Sequence, residues 1–214
     1  MTEAAKTTLE RRQALRRRDN EFVRALERLV PSMQDEKERR GDRAALAALR
    51  RGLGKKAGEA IDVYPAVYQA LGEEQLAPWE EEAYFLVAPL FALYPHGNWR
   101  RAEEDGPGSH DLGASFARLA EATDSGSIEK RFQAMLNSNR DDLPEHLRHA
   151  VSLLRAHEIP VSWSDLLGDI RAWENVDRGS RRKWARSYWG QIARNEKTAE
   201  TAAGGPATKT QEEE

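Results

Sequence analysis

Histidines and carboxylates are the residues of this sequence that could bind a metal ion or act in catalysis. His146 and His149 are three residues apart beside Glu145, so both could lie on one helix face. No third ligand stands at a recognisable metal-site spacing, and neighbouring acids at 80–82 and 103–105 point to different helix faces. There is no Cys, and no Ser or Thr has a recognisable catalytic partner. We therefore expect no enzyme, no metal, no cofactor and no small-molecule substrate.

Residues 52–56 (GLGKK) are the other segment with potential ligand chemistry, because Gly and Lys together bind phosphates in nucleotide-binding loops. Such a loop needs a preceding strand, a wider glycine spacing and Ser or Thr after the Lys. Here a helical pattern precedes the segment and Ala57 follows it. The pattern predicts a helix end followed by a basic loop that could contact a nucleic-acid backbone.

Charge is distributed unevenly along the 214 residues, although the formal net charge is only −3. Residues 1–60 hold 16 basic and 10 acidic residues, whereas residues 61–113 hold 2 basic and 10 acidic ones. Residues 114–194 return to a basic excess, with 13 basic and 11 acidic residues. Two basic regions around an acidic one indicate a surface for nucleic acid or a protein partner.

Helical periodicity runs through most of the sequence, and no stretch alternates with the period of a strand. The predicted fold class is therefore all-α. Asp42, Ser127 and Ser162 are expected helix caps, the last in a capping box with Asp165. The predicted helices cover about 15–30, 44–51, 63–71, 78–94, 112–122, 126–138, 144–157, 163–174 and 178–194.

Residues 95–111 predict a loop between two small helical bundles, because they contain three Gly, two Pro and four acids. The expected organisation is a flexible arm or helix start at 1–18, bundles at 19–111 and 112–194, and a disordered tail at 195–214. No apolar run is long enough to cross a membrane and the first residues lack a signal sequence, so we expect a cytoplasmic protein.

Clustered Lys and Arg are the strongest candidates for function, because they can neutralise phosphates without reading base sequence. The alternative is that they form solvated helix faces paired with Glu. The predicted nucleic-acid-binding residues are Arg50, Arg51, Lys55, Lys56, Arg118, Lys130, Arg131, Arg140, Arg148, Arg182, Lys183 and Arg186.

Several short segments, in order across roughly residues 20–190, carry a family resemblance. Each is a helical core pattern, most with a basic residue, and their order and spacing are more specific than any one alone. The segments are 48–52 (ALRRG), 90–95 (LFALYP), 112–119 (LGASFARL), 128–133 (IEKRFQ), 143–148 (LPEHLR), 159–163 (IPVSW) with Leu166 and Leu167, and 182–188 (RKWARSY). Together they resemble the CasB family, the small subunit of the type I-E CRISPR complex called Cascade.

The resemblance implies an entirely helical, non-catalytic subunit that stabilises the R-loop of guide RNA and target DNA through backbone contacts. Implied partners are the other Cascade subunits, guide RNA and either strand of target DNA, and self-association is left open. A protein–protein adaptor that does not bind nucleic acid is the alternative function.

A few basic positions match the family's motifs directly. Arg51, Arg131 and Arg148 match single basic positions, and the segment 182–186 matches a basic helix start. Some relatives have a basic residue where Ala114 stands, and Arg118 is the candidate to replace that contact.

Overall fold

The computed structural model describes residues 3–31, 41–56, 59–73, 76–97, 110–123 and 126–203. These ranges contain nine α-helices and no strand, which confirms the all-α prediction. No helix within them is long and apolar enough to cross a membrane. The helices are α1 (Glu3–Glu27), α2 (Arg43–Arg50), α3 (Tyr64–Leu71), α4 (Pro78–Leu93), α5 (Leu112–Thr123), α6 (Gly126–Asn137), α7 (Leu143–Ala156), α8 (Trp163–Arg171) and α9 (Gly179–Ala203).

Helix α4 is the centre of the fold because it is apolar on nearly every side. From Ala83 to Ala92 every residue except Leu86 is buried. Helices α2, α3, α7 and α8 all pack against α4. Helix α2 is fixed at its start by Asp42, whose carboxylate accepts a hydrogen bond from the backbone N–H of Ala45 at 2.8 Å.

The later helices are held by close contact between α5 and α9. A Cβ placed on Gly113 would lie 2.1 Å from the backbone oxygen of Trp184, so only glycine permits this approach. One turn after Trp184 on α9, Tyr188 stacks on the buried ring of Phe132 with ring centroids 4.6 Å apart. These contacts fix α6 and α9 relative to each other.

Helices from the two predicted bundles share one hydrophobic core cluster. Helix α1 packs on α8, and a buried polar network joins them: Arg171 donates to both carboxylate oxygens of Asp19, and the Tyr84 hydroxyl donates to Asp19 at 2.7 Å. The division into bundles stays a prediction, and residues 98–109 of the predicted loop lie outside the described residues.

Several predicted boundaries differ from the observed ones. Helix α1 begins at Glu3, so residues 3–18 form the helix start that was one of the two alternatives for this segment. Helix α9 continues to Ala203, so the disorder predicted from 195 onwards is wrong for 195–203, while 204–214 lie outside the described residues. The extra turns are polar, and the Thr198 hydroxyl bonds back to the carbonyl of Arg194 at 2.9 Å. Such turns have no apolar stripe that a periodicity argument could find.

Two predicted caps also differ in detail. Helix α6 begins at Gly126, which puts Ser127 inside its first turn rather than before it. Ser162 does stand at the start of α8, but its hydroxyl donates to the Asp165 carboxylate at 2.8 Å and makes no capping bond to the backbone.

Candidate nucleic-acid interface

Three of the predicted cations line one cleft of about 260 Å³. Lys55 and Lys56 reach it from the turn after α2, where Gly54 adopts a positive φ of 74°. Arg140 reaches it from the turn before α7. The turn after α2 is thus a basic loop, as predicted. The remaining lining residues are Glu82, Leu86, Asp141, Leu143, Pro144 and Ile170.

The cations of this cleft are partly neutralised by carboxylates from distant parts of the chain. Lys56 Nζ lies 2.7 Å from Asp141 Oδ1, and Arg140 donates twice to Glu82 Oε2, at 3.0 and 2.8 Å. The hydrogen bond between Lys56 and Asp141 raises the pKa of the lysine and lowers that of the aspartate. Lys55 is exposed and has no ion pair within the described residues.

Arg148 lies beside the same loop and is also paired. Its guanidinium donates to both oxygens of Glu145, at 3.1 and 2.7 Å, which lowers the pKa of that carboxyl. Glu145 in turn approaches the loop, since a Cβ on Gly54 would lie 3.7 Å from its Oε2. Arg51, at the end of α2, is similarly paired with Asp62 at 2.9 Å.

Four further predicted cations are exposed and have no ion pair in the part of the chain that the structure describes. Lys130 and Arg131 lie on α6, and Arg182 and Arg186 lie one turn apart on α9. The two helices are neighbours, because Trp189 Nε1 donates to Glu129 at 3.4 Å. With Lys55, these residues form a set of five that we call the unpaired cations.

The remaining predicted residues are tied to the protein itself. Lys183 Nζ bonds both oxygens of the buried Asp169, at 3.0 and 2.9 Å. Arg50 Nε donates to the carbonyl of Ala92 at 2.7 Å, although its side chain is exposed. Arg118 is half-buried on α5.

No group of three or more His, Asp or Glu side chains among the described residues could hold a metal ion. His149 Nε2 lies 3.3 Å from Glu145, the carboxylate that already binds Arg148. His149 therefore makes a surface contact with a carboxylate that Arg148 already binds.

Sequence reasoning missed the partner carboxylates of this surface. They are Asp62, Glu82, Asp141 and Glu145, of which only Glu145 is near its partner in sequence. Helix α1 also carries exposed arginines, in line with the basic excess of residues 1–60, and one of them, Arg16, is paired with Asp165. These arginines are Arg11, Arg12, Arg16, Arg17, Arg24 and Arg28.

Comparison with known proteins identifies the family. The family model for CRISPR-associated protein Cse2 matches residues 45–189. A Cse2 protein of Thermus thermophilus is 35% identical over 155 residues, which cover 72% of this chain and 83% of that protein. The crystal structure of M. ruber CasB is 34% identical, with a TM-score of 0.65 and coverage of 85% of this chain and 97% of that one.

A third match extends the fold comparison. A chain of a solved CRISPR RNA-guided surveillance complex is 23% identical, with a TM-score of 0.68, and covers 86% of this chain and 99% of its own. It has the same helical fold. Because the family model and the relatives match most of the sequence, this chain belongs to the CRISPR-associated protein Cse2 family, as its resemblance to CasB predicts.

Proposed function

We propose that this chain is a nucleic-acid-binding structural subunit of a type I-E CRISPR surveillance complex. In this role it holds the R-loop of guide RNA and target DNA through contacts to nucleic-acid backbones. The exchange of one duplex for another is nearly balanced in energy, so protein contacts to the backbone can tip it. Membership of the Cse2 family and the fold shared with a chain of a surveillance complex support this role.

The observation that carries the proposal is the set of unpaired cations. They are exposed, have no carboxylate partner in the described chain, and stand on helices or on a short turn. A phosphate can bind each of them without breaking an existing ion pair. Binding of this kind is independent of base sequence, which suits a complex in which the guide supplies specificity.

The test replaces the five unpaired cations with Gln and measures binding of labelled single-stranded DNA of random sequence over a range of salt. Each phosphate contact contributes about 0.7 to the slope of log K against log [salt] for a single strand. The variant should therefore lose up to about 3.5 of that slope. The replaced residues are Lys55, Lys130, Arg131, Arg182 and Arg186.

A matched control distinguishes these positions from a mere change of net charge. It replaces five other exposed arginines with Gln and so makes the same charge change. If the control loses as much affinity as the test variant, the assignment of the site is wrong. The control positions are Arg24, Arg28, Arg43, Arg155 and Arg194.

The adaptor function is the second candidate, and the ion pairs favour it. Arg51, Lys56, Arg140 and Arg148 each hold a carboxylate within 2.9 Å, as expected for cations that only solubilise a surface. An adaptor would bind its protein partners without any nucleic acid. Absence of DNA binding even at low salt, combined with co-purification of protein subunits after nuclease treatment, would favour this function.

A further inference from the structure

An apolar stripe lies exposed along one side of the 3₁₀ turn Ile61–Val63 and α3. Ile61, Tyr64, Pro65 and Tyr68 follow the spacing i, i+3, i+4 and i+7, which places them on one side of a helical segment. Ile61 is 76% exposed and Tyr68 is 43% exposed, whereas the side chains on the opposite side are buried in the core. Contiguous exposed apolar surface of this kind marks an interaction site more often than a single exposed residue does.

The aromatic rings of the stripe are already held in place. The ring centroid of Tyr68 lies 5.7 Å from that of Tyr64 and 5.5 Å from that of Phe85, both edge to face. The Tyr68 hydroxyl donates to Glu81 Oε2 at 3.4 Å, and burial raises its pKa, so it stays a donor at neutral pH. Rings that are fixed before binding lose little conformational freedom when a partner arrives.

The surroundings of the stripe are acidic. The sequence contains no Lys or Arg from residue 57 through residue 99. Glu59 and Glu73 are exposed in the same part of the chain, and Glu81 is half-buried against Tyr68, whereas the exposed Asp62 is neutralised by Arg51 at 2.9 Å. Such a field repels the phosphates of nucleic acid and attracts Lys and Arg. Charge complementarity therefore selects a basic protein surface as the occupant.

We propose that Ile61, Tyr64, Pro65, Tyr68 and Glu81 form a docking face for a basic, partly apolar surface of another protein subunit of the complex. We call it the acidic aromatic face. Its apolar centre supplies contact area, and its carboxylates orient the cations of the partner. This inference rests on the proposed function only in taking the partner from the same complex.

The test measures how much of the subunit enters the assembled complex. All subunits and a guide RNA are co-expressed, the complex is purified through a tag on a different subunit, and the copies of this chain per complex are measured by native mass spectrometry. The double variant Ile61→Ser/Tyr68→Ser should enter at least tenfold less than the wild type. Val176→Ser is the matched control, because Val176 is fully exposed but lies between α8 and α9.

A second variant tests the charge of the face without removing its apolar centre. Glu81→Lys should also reduce incorporation, and it should do so more strongly at low salt than at high salt. Wild-type incorporation of both variants would overturn the proposal. Concentration-dependent self-association of the free chain that Ile61→Ser abolishes would assign the face to a second copy, and would overturn it as well.

Binding of DNA by the free variants separates this inference from the proposed function. Ile61→Ser/Tyr68→Ser should bind labelled single-stranded DNA as the wild type does, because it changes no cation. If the wild type binds no DNA but the double variant still fails to enter the complex, the proposed function fails and the docking face stands. If the double variant enters the complex normally while the unpaired cations prove essential for DNA binding, the docking face fails and the proposed function stands.

Discussion

Replacing Asp19 with Asn should destabilise the fold severely, because it leaves a buried guanidinium without its counter-charge. The side chains of Arg171 and Asp19 are only 7% and 2% exposed, and the arginine donates to both carboxylate oxygens. Removing one partner of a buried ion pair costs about 3–5 kcal/mol. At roughly 2–4 °C per kcal/mol for a chain of this size, the melting temperature should fall by about 6–20 °C.

A graded series of variants tests this reasoning by urea and thermal unfolding, followed by circular dichroism. Tyr84→Phe removes one hydroxyl that donates to Asp19 and accepts from Arg18 at 2.9 Å and from Arg171 at 3.2 Å. It leaves the ion pair intact, so it should cost only about 1–2 kcal/mol. The double variant Asp19→Asn/Arg171→Met removes both charges and should recover part of the lost stability. A loss below about 1 kcal/mol for Asp19→Asn, or a double variant no more stable than the single one, would refute the argument.

Three further tests, two of them with a control substitution, give distinct expected outcomes. Gly113→Ala should lose about 3 kcal/mol of stability, because its Cβ would meet the backbone of α9. The control Gly126→Ala should lose none, because the space around Gly126 is open. Equal melting temperatures of the two variants would contradict this prediction. Burial raises the pKa of Asp169 to about 6, above the usual 3.8, so the folded chain retains this proton to a higher pH than the unfolded chain does. The free energy of unfolding should therefore fall as pH rises from about 4 to about 6. In urea titrations, Asp169→Asn should flatten this pH dependence. Parallel pH profiles of the wild type and the variant would exclude the effect. Asp141→Asn should bind single-stranded DNA about two- to fivefold more tightly than the wild type, because it frees Lys56 in the cleft. The control Asp142→Asn makes the same charge change without freeing a cation. Equal affinities of the two variants would show that the Lys56–Asp141 pair does not compete with phosphate.

The helices were predictable because their signals are local. Apolar spacing, the cap at Asp42 and the proline in the first turn of α3 all act within a few residues, and each was found in place. The end of α9 was not predictable in this way. Its last turns are polar and show no apolar stripe, so their helical form follows from continuation of a packed helix rather than from a pattern of their own.

The charge state of the candidate site could not be predicted, because ion pairs depend on tertiary neighbours. Lys56 and Asp141 are 85 residues apart, and Arg140 and Glu82 are 58 apart. The sequence showed which segments carry basic residues, but not that five of the predicted cations would hold carboxylates. The distinction between paired and unpaired cations therefore comes from the fold alone.

The salt dependence of nucleic-acid binding by the purified wild-type chain tests the central claim most directly. Labelled single-stranded DNA and RNA of random sequence would be titrated from low to physiological salt. We expect weak, sequence-independent binding whose log K falls linearly with log [salt], with a slope that reflects several phosphate contacts. Binding that is insensitive to salt, or no binding even at low salt, would contradict a subunit that holds nucleic acid through exposed cations.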